Sequence, residues 1–271
     1  MQKYVVLEKT VGQTPLECAE LWRKSHPEFT GVPLSYAGRL DPMASGKLLV
    51  LIGDECKKQS EYHGLDKRYE FSVLFGVGSD TGDVLGRLRF SEVIPTPTHT
   101  SLTSAARTLT GNISLPYPHF SSKTVRGKPL HVWTLEGRLG EITIPTQTST
   151  VYALRLKNVI TKTRVEIYSE VSTKIETVTP VTDESKALGR DFRRTDVRAD
   201  WKKFLENGLS TDHFTIATFV CTASSGTYMR SLAEEITKLH SIVGLAYHIH
   251  RSEIGRYKQL PLIGRFFSKR Y

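Results

Sequence analysis

Three polar residues each stand at the edge of a regular element, where chemistry can be done. Asp41 sits inside "YAGRLDPMASG", between an arginine-leucine pair and a proline, with Ala37, Gly38, Ala44, Ser45 and Gly46 around it. Tyr69 enters an alternating run behind "DKR", and Arg230 follows the small-residue run "ASSGTY". A carboxylate can serve as nucleophile or general base, and a tyrosine can pass a proton. Taken singly, each has an ordinary explanation: an aspartate before proline in a turn, a tyrosine half-buried in a strand, an arginine on a helix surface. Established motifs point elsewhere than metal, nucleotide or hydrolase chemistry. There is no GxxxxGK[ST] and no GxGxxG, "ASSGTY" is not GxSxG, and "SDTGDVLG" lacks the ligand spacing of a calcium loop.

The elements that must position these residues read as follows. "YVVLE" (Tyr4 to Glu8) is a predicted strand. "TPLECAELWRKSH" is a predicted helix, with Thr14 as N-cap, Pro15 in the first turn and Glu17 completing a capping box. Its expected buried stripe is Leu16, Ala19 and Trp22. In "YEFSVLFG", Tyr69, Phe71, Val73 and Phe75 share one face of a strand. "SLTSAARTLTG" reads as a short helix closed by Gly111. "TVYALRLKNV" and "TRVEIYSEV" read as a strand pair, and "FTIATFVCTAS" as a further strand. "SGTYMRSLAEEITKLH" reads as a helix with Leu232, Ile236 and Leu239 on one face. Predominant strands with a few helices make the fold class α+β.

The bulk properties bound the partners. The chain has 271 residues and a net charge of +9, which favours a polyanion such as nucleic acid. Lys186, Arg190, Arg193, Arg194, Arg198, Lys202 and Lys203 fall in a polar stretch at about 180–210, against Asp191, Asp196 and Asp200. That stretch is either a solvated surface excursion or a phosphate-contacting patch. No apolar run approaches the roughly 20 residues of a membrane span, and the N-terminus is too short in its apolar part for a signal peptide. Cys18, Cys56 and Cys221 are scattered, with no CxxC, so neither a disulfide framework nor a zinc site is expected. "HIH" (His248 to His250) has too few neighbouring acids for a metal. A cytoplasmic monomer without membrane, metal or cofactor is the expectation.

Three long stretches, in order, resemble the TruB family of tRNA pseudouridine synthases. The first matches G-x-LDP-x-A-x-G-x-L, as Gly38, Leu40-Asp41-Pro42, Ala44, Gly46 and Leu48. The second matches K-x-Y followed by D-T-G-D-x-x-G, as Lys67, Tyr69 and Asp80 to Gly86. The third matches G-T-Y-[IM]-R-x-L, as Gly226 to Arg230 and Leu232, with weaker echoes in "PHFSSKTVRGKPLH" and "TVYALRL". The resemblance implies a pseudouridine synthase fold with a central, mainly antiparallel mixed sheet flanked by helices and loops. It implies isomerisation of uridine to pseudouridine in RNA, at the T-loop uridine of tRNA (position 55), without metal or redox cofactor. Asp41 is then the catalytic acid, as nucleophile at C1′ or as base toward the sugar. Arg230 is the fork that holds it ionised, and Tyr69 stacks on the uracil and helps take the C5 proton. Tyr36, Arg39, Lys67, Tyr228 and Leu232 are implied substrate contacts, and the small residues around Asp41 leave room for a flipped nucleotide.

The chain departs from the family pattern at four places. Tyr36 stands where the family often has histidine, and Arg39 replaces a small residue. "GRLD" is similar to pseudouridine synthases acting on ribosomal RNA. Thr10 replaces the proline of an early K-P-x-G-x-[TS] segment. Only 14 residues follow Tyr257, so a C-terminal PUA-type domain is not expected. The expected organisation is a catalytic domain over 1–257, with the charged insertion at about 180–210, and a basic tail over 258–271 carrying Arg265, Lys269 and Arg270. The alternatives are a synthase for ribosomal or another RNA, and a catalytically silent RNA-binding or folding protein of the same fold.

Overall fold

The computed structural model describes residues 2–181, 191–260 and 264–271. Its centre is a sheet of β1 (Tyr4–Lys9), β2 (Leu34–Tyr36), β3 (Ala44–Ile52), β4 (Asp66–Phe75), β7 (Gly111–Pro116), β10 (Thr146–Thr163), β11 (His213–Ala223), β12 (Gly244–Leu260) and β13 (Gly264–Arg270). The order is β1-β3-β12-β4-β11-β10-β7, with β2 on β3 and β13 on β12. All pairings are antiparallel except the short β12–β3 contact, where Ile249, His250 and Arg251 run parallel to Ala44, Ser45 and Gly46. Two small hairpins, β5 (Val77–Ser79) with β6 (Leu88–Phe90) and β8 (Thr124–Val125) with β9 (Lys128–Pro129), stand off the sheet.

The helices are α1 (Pro15–Lys24), α2 (Gln59–His63), α3 (His99–Thr108), α4 (Leu130–Leu135), α5 (Arg164–Glu176), α6 (Arg194–Glu206) and α7 (Met229–Lys238). This is the expected α+β architecture, a mainly antiparallel mixed sheet flanked by helices and loops. Among the described residues no helix is long and apolar enough to cross a membrane.

Strand alternation sends side chains to two cores. Tyr69, Phe71, Val73 and Phe75 of β4 pack with Ala217, Phe219 and Cys221 of β11 under α3 and α7. Leu74 and Ile216 point the other way, into a core built by α5 and α6 with Val84 and Leu85. Both sheet faces are therefore covered at the centre, which holds the strand ends beneath Asp41 and Arg230 in place.

Three expectations are corrected. "TRVEIYSEV" is the start of helix α5, not a strand. Thr163 caps it and Glu166 completes a capping box. Ile167, Val171 and Ile175, spaced by four, are its buried stripe, each worth about 1.5–3 kcal/mol on burial. In α1, Leu16 is 53% exposed, and Cys18 and Ala19 face the sheet. Leu239 caps α7 and is also exposed.

Four of the seven basic residues of the charged stretch are ion-paired. Lys186 and Arg190 lie outside the described residues, as does the side chain of Arg265. Arg193 pairs with Asp80, Arg194 with Asp191, Arg198 with Glu176 and Lys202 with Glu206. Asp200 binds Arg87 and the Leu88 N–H, and the Trp201 indole N–H donates to the Val84 carbonyl at 2.9 Å. Helix α6 is thus clamped onto the loop between β5 and β6.

Candidate active site

A cavity of about 730 Å³ opens where the β2–β3 loop, the start of β4, the β5–β6 loop and the start of α7 meet. That volume suits a small-molecule-sized guest. Asp41, Tyr69 and Arg230 all line it, although they come from distant parts of the chain, and so do Arg39, Lys67 and Tyr228. Tyr36 and Leu232 do not. Tyr36 lies on β2 against Leu48, Val50, Cys18 and Ala19, with the Arg39 guanidinium 6.0 Å from its ring centroid, and Leu232 is wholly inside the core beneath α7. Both side chains are used for packing.

Arg230 enters at the first turn of α7, where Tyr228 is the N-cap residue. Its Nε stands 2.8 Å from Asp41 Oδ2. The Arg230 side chain is 5% exposed and that of Asp41 39%, so the acid faces the cavity from a buried cation. The contact is an ion pair whose N–H is not aligned as a hydrogen bond. The fork expected to clasp the acid is turned the other way: Nη1 donates to the Thr81 carbonyl at 2.6 Å and Nη2 to the Phe120 carbonyl at 3.2 Å. The guanidinium is aimed by backbone and presents one edge nitrogen to Asp41. Its burial favours losing the proton, but Asp41 and Asp83 more than offset that and hold its pKa above the ordinary value.

Asp83 is a second carboxylate on the same guanidinium, with Oδ2 3.9 Å from Arg230 Nε. Its other oxygen accepts from the Thr81 hydroxyl at 2.7 Å and the Leu85 N–H at 3.0 Å. Burial pushes its pKa above the ordinary carboxylate value, and Arg230 offsets that only in part. Asp83 is therefore spent on the loop, whereas Asp41 keeps a face toward the cavity. Gly82, at φ +75°, lets this loop approach the helix: a Cβ there would meet Arg230 Cβ at 3.2 Å.

Two buried cations, Lys9 and Arg251, fix the frame of the Asp41 loop, and a third, Lys67, stands beside it. Lys9 Nζ donates to the carbonyls of Thr10, Gln13 and Pro42 at 3.0, 2.7 and 3.4 Å. Arg251 donates through Nε to Lys47 O at 2.8 Å and through its terminal nitrogens to Arg39 O and Gly38 O at 3.3 and 3.2 Å. Lys67 donates to the Leu65 carbonyl and, at 3.4 Å, to the Ser225 hydroxyl. Among the described residues none of these three cations has a carboxylate within salt-bridge distance. Burial brings Lys9 and Lys67 down to about 8, with Arg251 adding to the effect at Lys67. The small residues have divided purposes. Gly38 and Ala44 line the cavity, but the space beside Gly46, at φ +103°, is filled by β12: a Cβ there would lie 2.3 Å from the Arg251 carbonyl.

Tyr69 stands on β4 between Cys221 and Arg251 on the neighbouring strands, almost fully buried. Tyr228 meets Tyr117 edge-on at 5.8 Å between centroids, and burial raises its hydroxyl pKa, with Tyr117 and Asp41 adding to the rise. Sequence reasoning did not single out Thr81, Asp83, Phe120, Arg193 or Arg251 as site residues. The D-T-G-D stretch was the signal for the first two. Backbone acceptors and carbonyl-bound cations leave no signal in sequence.

Comparisons with known proteins agree in one direction. Residues 32–177, just over half of the chain, match the TruB family pseudouridylate synthase (N terminal domain). The chain is 26% identical over 255 residues to the tRNA pseudouridine synthase B of Caldicellulosiruptor saccharolyticus, covering 94% of this chain and 68% of that protein. It is 36% identical over 149 residues to the protein of that name from Caldanaerobacter subterraneus, covering 55% of this chain and 50% of that one. It is 32% identical over 126 residues to tRNA pseudouridine synthase 4 of Saccharomyces cerevisiae, covering 46% and 31%. The chain thus spans 68%, 50% and 31% of the length of these three relatives. A chain of the crystal structure of a Cbf5-Nop10-Gar1 complex superposes with a TM-score of 0.54 over 93% of this chain and 49% of that one, at 13% identity, a likeness of fold.

Proposed function

Because the chain belongs to the TruB family of pseudouridylate synthases, we propose that it isomerises uridine to pseudouridine in RNA, at the T-loop uridine of tRNA (position 55). The observation that carries the reading is the Asp41–Arg230 pair in the wall of the cavity, with the acid facing inward and the arginine buried behind it.

The reaction breaks the bond between uracil N1 and ribose C1′, turns the base, and rejoins it through C5. It is unimolecular, so positioning supplies much of the rate. The glycosidic bond lies inside the stack, and the nucleotide must be flipped out to reach Asp41. The Asp41 carboxylate then either attacks C1′ or removes a sugar proton. Arg230 keeps a positive charge 2.8 Å behind it throughout. Tyr69, in the same wall, supplies a face for the uracil and a hydroxyl for the C5 proton. Arg39, Lys67 and Tyr228 line the approach, and the carbonyl-bound cations beneath leave a positive field suited to a phosphate backbone. Tyr36 and Leu232 support the walls.

Arg39, beside the acid, favours a second reading in which the same chemistry acts on another RNA. Tritium release from tRNA transcripts carrying [5-³H]uridine tests both. Release that maps to the T-loop supports the first reading, release only from other RNAs supports the second, and binding without release from any RNA leaves a silent RNA-binding protein.

A further inference from the structure

Arg230 takes its aim from two carbonyls on two separate loops, Thr81 between β5 and β6 and Phe120 between β7 and β8. One residue outside the family's motifs joins those loops. The Arg193 guanidinium makes a two-pronged contact with Asp80, Nη1 to Oδ2 at 2.6 Å and Nη2 to Oδ1 at 3.0 Å. The same group lies 4.4 Å from the centroid of the Phe120 ring. Arg193 therefore holds the chain neighbour of the first acceptor and the side chain of the second. It is itself fixed from behind. It precedes α6 in a left-handed conformation (φ 55°), strained for a non-glycine residue. The helix after it is tied down through Asp200 and the wholly buried Trp201.

Two alternatives give way to this geometry. A phosphate contact needs a free charge, and the Arg193 charge is already spent on Asp80, with the side chain 18% exposed. A plain surface salt bridge would contribute about 0–1 kcal/mol and touch nothing else, whereas this guanidinium spans the two loops that hold Arg230.

We propose that Arg193 is a positioning residue for the isomerisation: by bridging Asp80 and Phe120 it keeps the Thr81 and Phe120 carbonyls in register, and so keeps Arg230 on Asp41. This rests on the functional reading above. Arg193 also lines the cavity, but its guanidinium is held by Asp80 and Phe120, and its effect passes through Arg230.

The test compares Arg193→Met, which keeps the aliphatic stem over Phe120 and removes the fork, with Arg193→Lys, Asp80→Asn and the Arg193→Met/Asp80→Asn double variant. In tritium-release kinetics, Arg193→Met is expected to lower kcat about 10–100-fold, the scale of a misplacement near 1 Å, with KM within about twofold. Asp80→Asn should fall to the same level and the double variant no further, because one bridge is broken in each. Arg193→Lys should recover part of the rate. Hydrogen–deuterium exchange of residues 79–88 and 117–122, which needs no turnover, should quicken in Arg193→Met and not at the buried stripe of α5. A raised KM at unchanged kcat would make Arg193 a substrate contact, and unchanged exchange would make it a bystander; either overturns the proposal. So would a rate loss that merely follows the unfolded fraction measured by circular dichroism. If the wild-type protein releases no tritium from any RNA, the functional reading fails, and the exchange experiment still decides whether Arg193 holds the two loops.

Discussion

Replacing Asp41 by asparagine removes one charge and almost no volume, and the structure separates its two consequences. In Asp41→Asn, Arg230 keeps both backbone acceptors and keeps Asp83 at 3.9 Å. The lost interaction is an ion pair whose acidic side chain is 39% exposed. Partly solvated pairs of that kind contribute about 1 kcal/mol, which for a chain of this length lowers Tm by roughly 2–4 °C. The chemical consequence is of another order. Asparagine can neither attack C1′ nor take a proton, and a loss of at least about 10⁴-fold is expected, roughly 5.5 kcal/mol of barrier at 1.36 kcal/mol per tenfold. Tritium release gives the rate, calorimetry the Tm, and filter binding the RNA affinity, expected to stay within about threefold. Turnover within tenfold of the wild type would remove Asp41 from the chemistry. A Tm collapse far beyond a few degrees would show instead that the acid is there to hold the fold.

Further outcomes follow from the same geometry. Arg230→Lys offers one ammonium where two carbonyls and a carboxylate were served; about 2–4 kcal/mol of stability should go, with about a hundredfold in kcat, read by denaturation and single-turnover kinetics. Lys67 carries its charge below about pH 8 and loses it above. If that charge meets the RNA, KM should rise as the pH passes about 8, and Lys67→Arg should abolish the rise; a KM flat from pH 7 to 9.5 in the wild type would count against the contact. The same depressed pKa makes burying the charged lysine a cost that fades between about pH 8 and its ordinary value of 10.5, so its contribution to stability increases with pH in that window. Trp201→Ala should cost about 3–5 kcal/mol through the cavity it leaves, visible as a Tm drop of roughly 10 °C; a drop under 2 °C would show that α6 is not a structural clamp.

Much of the central fold could be read from alternation and caps. Tyr69, Phe71, Val73 and Phe75 share a face as their spacing requires, and Thr14 with Glu17 caps α1. "TRVEIYSEV" was misleading because its apolar residues alternate locally, while the capping box and the four-residue spacing of Ile167, Val171 and Ile175 carried the stronger signal. Asp41, Tyr69 and Arg230 were legible as a set through their motifs. Motif membership did not distinguish cavity residues from packing residues, so Tyr36 and Leu232, which do not line the cavity, were grouped with residues that do. Lys9 and Arg251 were invisible for a different reason: their partners are carbonyls, which every residue has.

The Arg251 contacts also set an order of events during synthesis. One residue of β12 holds Gly38 and Arg39 by its side chain and lies against Gly46 by its backbone, so both ends of the Asp41 loop hang from it. A chain made from its N-terminus has the acid long before it has that anchor. The contact spans most of the sequence, the kind of closure that forms late in folding. A ribosome-bound chain that has not yet passed residue 251 would thus carry its acid in an unset loop.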